Sequence, residues 1–290
     1  MGTMLESMTS AYNQGSSTYT IAKQLGISQT AVWRTLKRNG IPRRSTSQAV
    51  RKFSVNECFF DSIDTEEKAY WLGFLLSDGG IYQNSPSYYG IQRKTRIYGR
   101  LECILQTRDQ PHLEKLKEAL GSNHPIKLKK IKFKNFKEHV GSRLAIVSKR
   151  LVEPLLRNGW IEFKKRGIVK ILDDVRDDLK LHLVRGMIDA DGHVGICARK
   201  NKFAPDNHYP MLWFYDLHKS VVAWVQNWVC RNFDIKPTKI YVQKYKGRIS
   251  SYMMAQTSKS ISGVVTSLYR DAKIFLDRKR ETAERIWSTL

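Results

Sequence analysis

One pattern occurs twice in this chain of 290 residues. The stretches WLGFLLSDGG, residues 71–80, and LVRGMIDADG, residues 183–192, align at a single offset. Gly73 and Gly186, Asp78 and Asp191, and Gly79 and Gly192 are each 113 positions apart. A duplicated unit has to build two similar bodies and pair them. Both runs are apolar on most sides, as buried helices are. A glycine five residues before each aspartate lets two such helices touch backbone to backbone. Parallel pairing at Gly73 and Gly186 would bring the C-terminal ends together and set Asp78 beside Asp191. Helix C-termini already carry partial negative charge, and two close carboxylates repel until one takes a proton. A bound divalent cation removes that conflict, and oxygen ligands favour Mg²⁺. Gly79 and Gly192 are expected to end the helices in the left-handed conformation.

The duplication extends beyond the motif. After Gly79 come the basic strand-like run GIQRKTRIYGRLECILQTRD, a helix in QPHLEKLKEALG, the basic strands IKLKKIKFKNFKEHVGSRLAIVS and a helix in KRLVEPLLRNG. After Gly192 the order recurs through GICARKNKF and YPMLWFYDLH, KSVVAWVQNWVCRNF, TKIYVQKYKGRISSYMMAQT and KSISGVVTSLYR. Each half reads αββαββα, so the fold class is α+β, with two pseudo-symmetric repeats carrying antiparallel sheets. The expected division is a small all-α domain over residues 1–47, a linker over 48–65 with order near Phe59 and Phe60, and repeats over 66–170 and 171–290.

Charge narrows the partner. Fifty Lys and Arg stand against 27 Asp and Glu, a formal +23, which marks a polyanion partner. No apolar run approaches a membrane span, and no signal peptide is evident. Nucleic acid remains. Cys58, Cys103, Cys197 and Cys230 form no C-x-x-C pair, which argues against a zinc ribbon or a disulfide scaffold. Free thiols suit a reducing compartment, and a cytoplasmic or organellar location is expected.

In the front segment, Ile21, Ala22 and Leu25 fall at helical spacing and Gly26 interrupts them. Ser28 can cap a second helix with Ala31, Val32 and Leu36 as its stripe. Two short helices about a glycine turn suggest helix-turn-helix. The second would present Gln29, Thr30, Arg34, Lys37 and Arg38 to a major groove, with Arg43 and Arg44 on an extended arm. A basic helical hairpin without DNA contacts is the alternative, and the overall charge favours DNA. IAKQLGIS followed by AVWRTLK resembles the helix-turn-helix of resolvase and invertase DNA-binding domains.

WLGFLLSDGG and LVRGMIDADG resemble the paired motifs of single-chain LAGLIDADG homing endonucleases, with weaker marks in LLRNGWIEFKKRG and LYRDAKIFLDRK. The first motif departs from the pattern: Leu76 replaces an acid and Ser77 an alanine. The resemblance implies motif helices at a pseudo-dimer interface and two saddle-shaped sheets on the two half-sites of double-stranded DNA. It further implies a monomer that makes a staggered double-strand break by hydrolysis requiring Mg²⁺ or Mn²⁺. Metal would sit between Asp78 and Asp191, aided by the carbonyls of Ser77 and Ala190. Asp189, matched by Leu76, is assigned to helix-end structure.

Alternation along the strands nominates DNA-facing residues. In repeat one these are Gln92, Arg93, Lys94, Arg96, Arg100, Gln106, Arg108, Lys127, Lys129, Lys132 and Lys134. In repeat two they are Arg199, Lys200, Lys202, Lys239, Gln243, Lys246 and Arg248. Arg and Gln can read base edges, whereas Lys mostly neutralises phosphate. The family's habit of placing a basic strand residue near the active centre nominates Lys130 and Lys244 as a catalytic pair. His193, whose counterpart is Gly80, is given no role. Two other readings share the scaffold: a maturase acting on intron RNA, and a DNA-binding regulator without catalysis. The terminus RIWSTL lacks the His-Asn that an intein would carry.

Overall fold

A computed structural model describes residues 2–13, 16–42, 52–83, 99–131, 139–198, 208–245 and 248–289. The chain forms two compact units, Met1–Ser54 and Val55–Leu290.

The first unit holds helices α1 (Gly2–Asn13), α2 (Thr18–Leu25) and α3 (Gln29–Arg38). Ser17 caps α2 by accepting from the Thr20 N–H, and Ser28 caps α3 by accepting from that of Ala31. Between them Gly26 has φ +66°, a left-handed turn that glycine adopts at least cost. Ile21, Ala22, Val32 and Leu36 are buried with Met8 and Tyr12. Those last two come from α1, a helix beyond the two expected from the spacing of apolar residues. The extra helix covers a stripe that two short helices alone would leave wet.

The second unit contains the duplication. Repeat one runs α4 (Glu66–Asp78), β1 (Gly79–Tyr82), β2 (Arg100–Gln106), α5 (Gln110–Ala119), β3 (Lys127–Ile131), β4 (His139–Val147) and α6 (Lys149–Arg157). Two short helices follow, α7 (Trp160–Arg166) and α8 (Lys170–Asp173). Repeat two runs α9 (Asp177–Asp191), β5 (Gly192–Ala198), β6 (His208–Asp216), α10 (Lys219–Asn232), β7 (Tyr241–Tyr245), β8 (Arg248–Thr257) and α11 (Ile261–Tyr269), and α12 (Asp277–Thr289) closes the chain. Both sheets are antiparallel, ordered β1-β2-β4-β3 and β5-β6-β8-β7. Each places one face on the core: Leu101, Cys103 and Leu105 from β2, and Pro210, Leu212 and Phe214 from β6. Phe59 and Phe60 are buried in this same core, and the Asn56 N–H bonds the Leu120 carbonyl. The chain from Val55 onward therefore packs with the repeats.

α4 and α9 cross at the centre. Thr65 caps α4, and Glu66 and Glu67 complement its N-terminal dipole. A Cβ built on Gly73 would stand 2.1 Å from the Leu183 carbonyl oxygen, and one on Gly186 would stand 2.1 Å from that of Tyr70. No side chain fits either gap. The helices then pass straight into β1 and β5. Gly79 (φ −85°, ψ 159°) and Gly192 (φ −99°, ψ 175°) are extended, which corrects the left-handed ends expected for them. Space, not handedness, calls for glycine there: a Cβ would meet the Leu75 oxygen at 2.5 Å and the Ile188 oxygen at 2.6 Å.

Gly186→Ala should destabilise the second unit by about 3 kcal/mol, since neither backbone can yield without parting the helices. Gly263→Ala, on an exposed stretch of α11 with nothing within 4 Å of the added Cβ, should be neutral or stabilising by up to about 1 kcal/mol. Urea denaturation of both variants checks the contrast; equal effects would contradict it.

Candidate active site

The crossing fixes where the two motif helices end. Asp78 is the last residue of α4 and Asp191 the last of α9. Burial pushes the Asp78 carboxyl above its usual range, against the pull of Lys279 and Lys164. Asp191 is raised further, to about 7, first by burial and second by the negative charge of Asp78. The charge of Asp78 therefore reaches Asp191 across the seam between repeats. A cleft of about 250 Å³ opens beside Asp191, lined among others by Ser77, Lys164, Asp216 and His218.

Two lysines attend this pair. Lys164, on α7, donates to the carbonyls of Leu76 (2.9 Å) and Ser77 (2.8 Å) at the end of α4. Lys279, on α12, is 3% exposed. It donates to Ile188, to Asp189 (2.7 Å) and to Gly192 (2.8 Å) at the end of α9. Each satisfies helix-terminal carbonyls and offsets the dipole with a cation. Burial lowers the pKa of both, that of Lys279 to about 8. Each thus places an ammonium near the acids.

Behind them lies a buried polar frame. Asp189 is fully buried and accepts from Tyr70 Oη (2.8 Å), Tyr269 Oη (2.7 Å) and the Leu276 N–H (2.8 Å). It ties α9 to α4, to α11 and to the approach to α12. Tyr70 also meets His112 Nε2 at 2.9 Å. Burial holds the His112 pKa near 3, so the ring is neutral; with the tyrosine proton committed to Asp189, the His112 Nε2–H donates. Arg185, also buried, donates to the carbonyls of Ile274 (2.9 Å) and Leu268 (3.1 Å) and to Glu66 (2.6 Å) at the start of α4.

The residues expected to act divide accordingly. Asp78 and Asp191 converge. The Ser77 carbonyl lies at the site and accepts from Lys164, while Ala190 is not among the acceptors of Lys279. Lys130 and Lys244 are exposed on β3 and β7, each at the sheet edge opposite the strand that follows the motif. The lysines acting most strongly on the acids are Lys164 and Lys279 instead. Both lie just past the closing helices, in FKKR and LDRKR, 115 positions apart. That spacing was the available signal, and it was obscured because helix α7 and helix α12 start at different distances from their repeats.

Among candidate DNA contacts, Gln29, Thr30, Arg34, Lys37 and Arg38 are exposed on α3. Gln106, Arg108, Lys127, Lys239 and Gln243 are exposed on or beside the sheets, and Arg100 and Lys129 partly so. Arg43, Arg44, Gln92, Arg93, Lys94, Arg96, Lys132, Lys134, Arg199, Lys200, Lys202, Lys246 and the Arg248 side chain lie outside the described residues. Among the described residues no three His, Cys, Asp or Glu side chains gather around one point, and no helix is long and apolar enough to cross a membrane.

Two αββαββα repeats joined through paired motif helices constitute the fold of the LAGLIDADG homing endonucleases. The meganuclease I-SmaMI, bound to uncleavable DNA with a TTGT central four, superposes with a TM-score of 0.50 at 13% identity, over 78% of this chain and 89% of its own. Its complex with a TTCT central four gives 0.50 at 11%, over 76% and 88%. I-LtrWI bound to target DNA gives 0.49 at 11%, over 77% and 89%. No protein-family model matches the chain, and no curated protein matches it in sequence.

The raised Asp191 pKa has a stability consequence. An unfolded aspartate titrates near 3.8 and the folded one near 7. Between those values the folded state holds the extra proton, so this group's contribution to stability is present below about pH 4 and is lost as pH rises through 7. In metal-free buffer, the wild type should therefore lose stability between pH 5 and 8, relative to Asp191→Asn, by on the order of 2 kcal/mol. Denaturation of both across that range tests it; parallel pH profiles would refute it.

Proposed function

We propose that this chain is a metal-dependent, site-specific DNA endonuclease of the LAGLIDADG homing type. The observation that carries the reading is the convergence of Asp78 and Asp191 at the ends of duplicated helices, one end held by the half-buried Lys164 and the other by the buried Lys279. Duplicated acids at one seam suit a substrate with two strands. The +23 charge supports a nucleic-acid partner, and the fold is one on which I-SmaMI binds DNA.

The residues fit a divalent metal. Two like-charged carboxylates, one with its pKa near 7, form an anionic site that lacks full compensation. Mg²⁺ commonly takes one or two carboxylates and completes its shell with water and phosphate, so a three-residue protein cage is unnecessary. Asp78 and Asp191 would hold it, and the bound cation would supply Lewis-acid chemistry to a phosphodiester. Lys164 and Lys279 would complement the charge that develops on the phosphoryl oxygens. Partial burial of the carboxylates strengthens each of those interactions. The exposed face of α3, with Arg34, Lys37 and Arg38, would add a second DNA contact from the first unit.

The test is cleavage of a randomised plasmid library in Mg²⁺. The wild type should release linear product. Asp78→Asn or Asp191→Asn should lower the rate by about 10³-fold or more while duplex affinity in Ca²⁺ changes little. Undiminished cutting by either variant would overturn the assignment; tight duplex binding without cutting by the wild type would identify a regulator. Preference for folded intron RNA would identify a maturase. Duplex affinity should also fall steeply with salt, since several phosphates are neutralised at once.

A further inference from the structure

The outer face of the first sheet carries a carboxylate where a surface for a polyanion has least use for one. Glu102, on β2, is 3% exposed. Its oxygens accept from Arg143 on β4 and from Lys129 on β3 (3.1 Å), and Arg100 Nε lies 3.4 Å away. Arg100 in turn stacks its guanidinium 4.5 Å from the centroid of the Tyr82 ring on β1. One row of side chains thus spans all four strands. The acid is covered while its cations remain partly in solvent, Arg143 at 27%, Arg100 at 31% and Lys129 at 43%. Burial raises a carboxyl pKa, yet the bonds from Arg143 and Lys129 hold Glu102 below its usual range.

Stability gives a weak reason for this arrangement, because a buried ion cluster seldom outperforms a neutral replacement of similar size. The second sheet supplies that replacement. Gly80 pairs with Glu102, and His193, its counterpart after the motif glycine, pairs with Trp213. Among the described residues, Trp213 and no carboxylate stands at that position in repeat two. What an acid gives that a tryptophan cannot is fixed guanidinium geometry. An arginine free in solvent samples many rotamers and loses that freedom on binding. One braced by a carboxylate keeps its remaining donors aimed in one plane.

We propose that Glu102 is a positioning residue for base recognition, holding Arg143 and Arg100 as preset forks for guanine edges in the half-site bound by repeat one. The proposal rests on the DNA-binding reading above. The O6 and N7 atoms of guanine match a guanidinium fork in the major groove, and one such pair favours guanine over a wrong base by about tenfold or more. The half-site under repeat one should accordingly carry a guanine requirement that depends on Glu102.

Glu102→Gln separates this role from its rivals because the two readouts move in opposite directions. The variant loses one negative charge from a DNA-facing surface, so affinity for an unrelated duplex should rise a few-fold. It also releases the forks, so discrimination for the guanine position should fall about tenfold or more. Both are measured by selection from randomised duplexes and by titration in Ca²⁺, with the unfolding midpoint recorded alongside. Arg143→Lys, which keeps the charge and removes the fork, should lower discrimination by a larger factor than it changes affinity for an unrelated duplex. Unaltered discrimination in Glu102→Gln, or equal loss of affinity for both duplexes, would overturn the proposal. Failure of the wild type to bind any duplex would instead strike the function reading.

Discussion

The second unit depends on a contact that admits no side chain. Gly73 lies against the Leu183 carbonyl and Gly186 against that of Tyr70, so α4 and α9 meet backbone to backbone. Three consequences follow from that one approach. The helices are parallel and close, so their negative ends coincide. Each helix feeds a strand without an intervening loop, so the sheets begin at the seam. The repeats are fixed relative to each other before any side chain beyond the crossing is placed.

Coincident helix ends create an electrostatic problem, and much of the remaining polar architecture answers it. Two macrodipole ends and two carboxylates would repel in a half-buried setting. Lys164 and Lys279 supply cations directly to the terminal carbonyls. The Asp191 pKa still rises to about 7, so the lysines compensate only in part. Asp189 takes a separate path: two tyrosines and a backbone N–H satisfy it completely, which removes it from the cleft and leaves one motif acid per repeat.

Most of this fold was legible because the duplication repeats period as well as residue type. A single offset of 113 located both helices, both glycine contacts and both closing acids, and the order αββαββα appeared in each half. Local conformation was less legible. Gly79 and Gly192 suggested left-handed caps, but a helix that runs directly into a strand needs an extended residue, and only the neighbouring carbonyls reveal why a glycine stands there. α1 went unread because its stripe, Met8 and Tyr12, makes sense only against α2 and α3. The site lysines were hidden for a comparable reason. Lys130 and Lys244 sit in corresponding strands, which sequence can suggest. Lys164 and Lys279 are brought to the acids by helices that follow the repeats, and tertiary packing alone decides where such helices return.

The departures from symmetry show how the seam is kept closed. On one side, α7 docks against the turn that begins α10: Ser220 Oγ donates to the Gly167 carbonyl (2.6 Å), and His218 Nε2 lies 3.3 Å from the Lys164 carbonyl. On the other, α12 reaches the turn before α5: Arg278 pairs with Asp109 (3.2 Å), and Lys115 of α5 pairs with Asp277. The chemistry differs, with neutral bonds on one side and ion pairs on the other, yet the connectivity is the same. Each site lysine caps the motif helix of its own repeat and rides on a segment held by the opposite repeat. Neither lysine can therefore be set in place by half of the molecule. Opening the glycine contact would release both ammonium groups from the acids together, so the geometry of each half of the site is a property of the joined pair.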